Sequence, residues 1–215
     1  MNGSSTRRNF LIKSSATATG VLGGVMSPSL YAKHHKKMRF TLGLSQYSLR
    51  ALLKDGSLDA LDFPKFTVDQ FGIQAIDLWE GGLPKDKLDD PKYLAMMRKK
   101  ADQAGTDLFL LMSGALDASA KKREASSAKI SASFDRAVQL GAPMVRVFLK
   151  APGTDSKIGL QASVEALKPL ADEAAEKNLT IAIEPGASSL SQKGAFLAEV
   201  ATTLKHPSLK LMPDF

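Results

Sequence analysis

The 215-residue sequence contains no cysteine and only three histidines, two of which, His34 and His35, sit in one basic run near the N-terminus. The first absence removes disulfides, thiolate nucleophiles and Cys-ligated zinc or iron–sulfur centres. The scarcity of histidine leaves no Ser/His/Asp, Cys/His or HExxH arrangement in view. A glycine-rich phosphate loop is also missing, since neither "LGLSQYS" nor "DLWEGGL" has that pattern. Acids are outnumbered, with a formal net charge of +7, but removing Arg7, Arg8 and Lys13, the only charges in residues 1–32, leaves +4. Much of that surplus lies in "KHHKKMR" (33–39), a solvated basic arm rather than the concentrated basic face that nucleic acid requires.

The first thirty residues have the parts of an export signal: paired arginines, an apolar and small-residue stretch, then small residues suited to cleavage after Ala32 or Ser29. The stretch Ser14–Val25 is shorter than the roughly 20 residues that span a bilayer. "TRRNFLIK" resembles the twin-arginine signal through Arg7, Arg8, Phe10, Leu11 and Lys13. That resemblance implies export of an already folded protein by the twin-arginine machinery to the periplasm or beyond, with no stable membrane anchor after cleavage. The expected organisation is a signal at 1–32, a basic linker at 33–37 and one domain from 38 to 215.

From Met38 onward, strand-length apolar runs recur: "RFTLGLS", "IQAIDLW", "DLFLLMS", "MVRVFLK", "LTIAIEP" and "LKLMPDF", centred near residues 43, 77, 110, 146, 182 and 211. Runs of this kind suit strands buried on both faces. Helical periods fill the gaps. "DFPKFTVDQFG" places Phe63, Phe66 and Phe71 on one side, with Asp62 as cap and Gly72 as stop. "DPKYLAMMRKKADQAG" runs from Asp-Pro to Gly105, and "SSAKISASFDRAVQLG" spaces Ile130, Phe134 and Val138 four apart before Gly141. Leu160, Val164, Leu167, Ala171 and Ala174 share a face in a helix that Pro169 should kink or divide. Phe196, Val200 and Leu204 follow. Such alternation means βα units on a parallel sheet. Six strands and five helices fit an incomplete (β/α)8 TIM barrel, lacking two strands and three helices at its C-terminal end.

Polar residues gather at the carboxyl ends of these strands, where such folds build their sites: Gln46, Asp77, Trp79, Glu80, Ser113, Arg146, Lys150, Glu184 and Asp214. A carboxylate beside an apolar run costs several kcal/mol unless compensated. Glu184 and Asp214 are one βα unit apart, and a shared divalent cation, Mg²⁺ or Mn²⁺ by oxygen preference, would resolve their repulsion. The plainer readings stay open: Glu184 in a salt bridge, Asp214 as a helix cap, Arg146 paired with Asp77 or Glu184, Trp79 in a core, Lys150 in solvent. His206 falls in a turn at the opposite face and is read as structural.

The stretches "LGLSQYSL", "LDFPKFTVDQFGIQAIDLWEGGL", "LGAPMVRVF", "LTIAIEPG" and "HPSLKLMPDF" together resemble the xylose-isomerase-like TIM barrels of sugar phosphate isomerases and epimerases. The resemblance implies a divalent metal (Mn, Mg, Co or Zn) held by Glu, Asp, His and Glu from strands five to eight, the first two mapping onto Glu184 and Asp214. It also implies Glu184 as the catalytic acid/base, with Gln46 and Asp77 toward a small sugar substrate; Trp79, Glu80 and Arg146 join them as substrate-binding candidates by their strand-end positions. Pro185, Gly186, Ala187 and Ser188 replace the Asn-His-Gly-Gly that close relatives often carry after the strand-five Glu. The implied reaction is isomerisation or epimerisation through an enediolate, with a keto-sugar lyase or an inactive fragment as alternatives. A barrel-type DNA-repair phosphodiesterase would need several histidines that this sequence lacks. Half the implied ligand set lies beyond Phe215, so residues 33–215 alone are expected to turn over no keto-sugar. Metal-dependent turnover by that segment in a ketose assay would contradict this.

Overall fold

The computed structural model describes residues 40–214, and residues from Thr41 onward form one unit. The twin-arginine segment, the basic linker and Phe215 lie outside the described residues. Six strands, β1 (Gly43–Ser45), β2 (Ala75–Trp79), β3 (Asp107–Asp117), β4 (Met144–Lys150), β5 (Thr180–Glu184) and β6 (Leu209–Leu211), pair in chain order, each pair parallel. A short helix α1 (Arg50–Lys54) follows β1, and five crossover helices complete the units: α2 (Phe63–Phe71), α3 (Pro91–Ala104), α4 (Arg123–Leu140), α5 (Ser156–Glu176) and α6 (Gly194–Leu204). The alternation read from the sequence is therefore the architecture, with β1 and β6 as the sheet's two edges among the described residues.

Strand periodicity sorts the side chains into two layers. Ile76 and Leu78, Val145, Val147 and Leu149, and Ile181 and Ile183 join Phe63, Leu94, Met97, Phe134, Leu167 and Val200 of the helices in one core. The alternate positions Asp77, Arg146 and Glu184 point to the other face, the concave side where a barrel keeps its lumen. Burial of the apolar layer against the helices is what fixes that register. A one-residue slip would send every charge into the core.

Local chemistry punctuates the units largely as expected. Asp90 caps α3 by accepting from the Lys92 N–H, and Pro91 opens its first turn. Gly72 and Gly141 end α2 and α4 with φ of 66° and 73°, a backbone region that a side chain disfavours. Four details differ from the sequence reading. Asp62 makes no side-chain cap; Asp59 instead accepts from Leu61 N–H and caps the 3-10 turn that leads into α2. α5 continues through Pro169 undivided, because the ring sits on the exposed side where the freed carbonyl can reach water. Phe71 is 51% exposed in the last turn of α2. Val138 is also 51% exposed, while Ala137 and Leu140 take the buried positions. A step of four overshoots a helical turn by about 40°, so two steps carry Val138 off the buried stripe.

These burial differences predict opposite mutational outcomes on one helix. Phe134→Ala should cost about 3–5 kcal/mol in denaturant unfolding, whereas Val138→Ala should stay within about 0.5 kcal/mol. Equal losses would contradict the assigned face of α4.

Candidate active site

Strand alternation puts Asp77, Arg146 and Glu184 on the concave face of β2, β4 and β5, and pairing of Phe148 with Glu184 brings β5's last residue level with the end of β4. Arg146 is only 4% exposed. Its Nη1 donates to the Ser113 carbonyl at 2.9 Å, and its guanidinium lies 4.2 Å from the centre of the Phe148 ring. The Ser113 carbonyl is available because β3 bulges there, the register with β4 shifting between Met112 and Ala115. Arg146 Nε lies 2.8 Å from Glu184 Oε2, yet neither atom makes a hydrogen bond. The two form a close, buried ion pair. Of the partners open to Arg146 from sequence, the structure thus selects Glu184.

Asp77 is nearly buried, and its pKa is pushed up to about 6, chiefly by burial. Two hydrogen bonds oppose that rise: Ser45 Oγ donates to Oδ1 at 2.9 Å and the Gln46 N–H at 3.2 Å. Both fall on Oδ1, which leaves Oδ2 for a proton or a ligand. Arg146 also holds the pKa down, while Glu184 raises it. The Glu184 pKa is raised by burial and further by Asp214, against Arg146. Desolvation pulls the Arg146 guanidinium below its ordinary value, and Glu184, Asp77 and Glu80 pull it back. The charged row is therefore one electrostatic unit spread over four strand ends.

The end of β1 is built around Gln46, which is fully buried. Its Oε1 accepts the Trp79 N–H at 2.9 Å. The paired glycines after Trp79 make room for this. A Cβ on Gly82 would stand 2.8 Å from Gln46 Oε1, and one on Gly81 would stand 2.4 Å from the Trp79 ring. Trp79 meets Tyr47 edge-on, with ring centres 4.9 Å apart, and Arg50 stacks on the other partner's ring at 4.6 Å. Trp79, Gly81, Gly82 and Asp59 line a cavity of about 340 Å³.

Glu80 is placed elsewhere than its neighbours in the sequence suggest. It pairs with Arg136 of α4 at 2.8 Å, and the same guanidinium holds Asp89 at 2.7 Å, so Glu80 staples the loop after β2 to a helix. Asp214 is exposed beside an edge strand rather than buried as expected from its apolar approach. With Ile183, Pro185, Leu197, Leu211 and Met212 it lines an apolar cavity of about 360 Å³. Lys150 is exposed to solvent, as expected, and lies 3.5 Å from Asp117. His206 accepts the Ser208 N–H at Nδ1 and lies 3.4 Å from Asp172, which suits a turn-forming role. Sequence reasoning missed Ser45 and Phe148 as partners of the charged row, and Arg136 as the partner of Glu80. Ser45 stood inside "LGLSQYSL", but a hydrogen bond to a residue 32 positions away has no local signature.

Asp77 carries a pH prediction. Its folded pKa, about 6, exceeds the ordinary 3.8, so the folded state holds the proton more tightly. The stability this provides is full below about 3.8 and is lost as pH rises to about 6. Asp77→Asn keeps an acceptor for Ser45 and Gln46 but cannot ionise. It should be more stable than the wild type at about pH 8, by at most about 3 kcal/mol, and nearly equal at about pH 4. Thermal melts at the two pH values check this, and equal melting at the higher pH would contradict it.

The fold has counterparts among known proteins. A probable 3-DHS dehydratase, AsbF, involved in petrobactin synthesis in Bacillus anthracis, is 18% identical, covering 82% of this chain and 63% of its own, with a TM-score of 0.67. A D-psicose 3-epimerase crystallised with D-fructose is 18% identical over 81% of this chain and 63% of its own, with a TM-score of 0.58. The 3-keto-D-glucoside 4-epimerase of E. coli is 12% identical over 73% of this chain and 64% of its own, also at 0.58. The chain thus spans a little under two thirds of the length of these structures. No curated protein matches it by sequence. The profile of the xylose isomerase-like TIM barrels matches residues 67–215, and the chain belongs to that family.

Proposed function

We propose that the full-length protein is an isomerase or epimerase of a sugar or sugar derivative, moving a proton at the carbon next to a carbonyl. The observation that carries this reading is the pair of acids on either side of β4, Asp77 and Glu184, both pushed up in pKa by burial and both in the field of Arg146. A carboxyl with a pKa of about 6 can hold or release a proton near neutrality, as general acid–base chemistry requires. Glu184 is assigned the proton abstraction, and Asp77, with Oδ2 open, the proton on the opposite side. Trp79 and Gln46 shape the sugar's approach from the β1 side.

The family resemblance adds a divalent cation between Glu184 and Asp214. The residues present fit part of such a site. Asp214 raises the Glu184 pKa, so the two carboxylates are close enough to repel, although Glu184 Oε2 already has the Arg146 guanidinium 2.8 Å away. Among the described residues no group of three His, Cys, Asp or Glu is placed to hold a metal, so two carboxylates supply only part of a shell. When bound, the ion would polarise the substrate carbonyl and its neighbouring hydroxyl. Export through the twin-arginine route is part of the same proposal and rests on residues 7–13. A lyase would share the proton abstraction and differ in losing water afterwards.

The reading is tested by incubating the full-length protein with a panel of ketoses in D₂O with Mn²⁺ and following deuterium at the carbon beside the carbonyl. Glu184→Gln should slow incorporation by roughly 100-fold or more, while substrate binding, followed by calorimetry, persists. Incorporation at the wild-type rate in Glu184→Gln would overturn the assignment, and an eliminated product would favour the lyase.

A further inference from the structure

Ser45 stands beside Asp77 because the β1–β2 register sets the two level, which puts their side chains on one face of the sheet. As the cap of the 3-10 turn Gln46–Leu49, Ser45 needs only to accept, and its Oγ takes the Tyr47 N–H at 3.3 Å. Its own proton is spare, and it goes to Asp77 Oδ1 at 2.9 Å. The Met112 sulfur, 3.4 Å away, is a second acceptor in reach, but a thioether accepts more weakly than a carboxylate. The Gln46 N–H reaches the same Oδ1 at 3.2 Å. A carboxylate oxygen has two lone pairs, so both places on Oδ1 are taken and Oδ2 is the oxygen left over. The charged groups that face Asp77 are Arg146 on β4 and Glu184 on β5. From the β1 side it meets Ser45 and Gln46, and behind Ser45 the Met112 of β3, none of which ionises.

We propose that Ser45 is a positioning residue for Asp77: anchored by the Tyr47 N–H, its hydroxyl helps fill Oδ1 and so fixes the exchangeable proton of Asp77 on Oδ2. This rests on the acid–base reading of Asp77 given under the proposed function. A carboxyl free to take its proton on either oxygen divides its population between two arrangements, and only one of them serves a given direction of transfer. Filling Oδ1 removes the other. The same hydroxyl stabilises the charged form, so it keeps release of the proton within reach of neutrality against the effect of burial. Ser45 acts through Asp77 and needs no contact with substrate.

Backbone amide proton shifts of the full-length protein, followed by NMR from about pH 4 to about pH 8, test this without turnover. The Gln46 and Tyr47 signals should both move with the Asp77 midpoint, about 6, and both responses should vanish in Asp77→Asn. Ser45→Ala should raise the midpoint seen at Gln46 by about one pH unit, the weight of a hydrogen bond to a charged group, and should flatten the response of Tyr47. Ser45→Thr keeps the hydroxyl and should restore the wild-type behaviour. In the deuterium assay, the pH profile of Ser45→Ala should shift upward by the same amount as its NMR midpoint. A midpoint unchanged in Ser45→Ala, or raised equally in Ser45→Thr, would overturn the proposal. So would a wild-type Tyr47 signal that stays flat while Gln46 titrates, a result that depends on no variant. If the NMR midpoint rises as expected but the deuterium profile stays put, or the wild type incorporates no deuterium, the acid–base reading of Asp77 falls and the positioning of its proton stands.

Discussion

An arginine in the interior of a parallel sheet is costly to place, and the rest of this lumen follows from how Arg146 is accommodated. A guanidinium 4% exposed must be paired and hydrogen-bonded or it would cost several kcal/mol. β3 gives it a carbonyl by bulging, β4 gives it the face of Phe148, and β5 gives it a carboxylate. Each of these comes from a different strand or a different point along one strand, so a single side chain ties together the register of three. The apolar layer on the other side of the sheet makes that register rigid, since no strand can slip without exposing the helix-facing core.

The same economy explains why the acids of the lumen sit at unusual pKa values. Asp77 and Glu184 are both desolvated, and both lean on one cation that cannot neutralise them fully. Burial alone would make them inert protonated acids, and full ion pairing would make them weak bases. At Asp77 the hydrogen bonds from Ser45 and Gln46, and after them Arg146, hold the rise caused by burial to about 6. The paired glycines Gly81 and Gly82 belong to the same design at the β1 side, where they let Trp79 and Gln46 pack tightly beside Asp77.

Much of the fold was legible because its signals are local. Apolar runs about 34 residues apart, Asp-Pro at the start of α3 and glycines at helix ends are all properties of short windows of chain. The placement of Asp77, Arg146 and Glu184 on one face was legible for a related reason, because a charge alternating with apolar strand residues points away from the helix-facing core. What sequence could not decide was pairing over distance. Arg146 had two carboxylates available, and only the sheet register, with Phe148 opposite Glu184, chooses between them. Glu80 looked like its neighbours Asp77 and Trp79 until Arg136, 56 residues away, captured it. Asp214 follows an apolar stretch yet is exposed, because among the described residues no strand pairs with the far side of β6. Val138 failed for a geometric reason, the drift of a four-residue spacing around the helix.

The central claim is that Arg146 and Glu184 form one buried unit whose halves are costly alone. The direct test is a double-mutant cycle on folding stability using Arg146→Met, Glu184→Gln and the pair together. Each single change strands a buried charge and should cost about 3 kcal/mol or more. The double change removes both charges and should lie close to the wild type, giving a large coupling energy. Strictly additive losses would mean that the two side chains are neighbours without being partners, and would contradict the account.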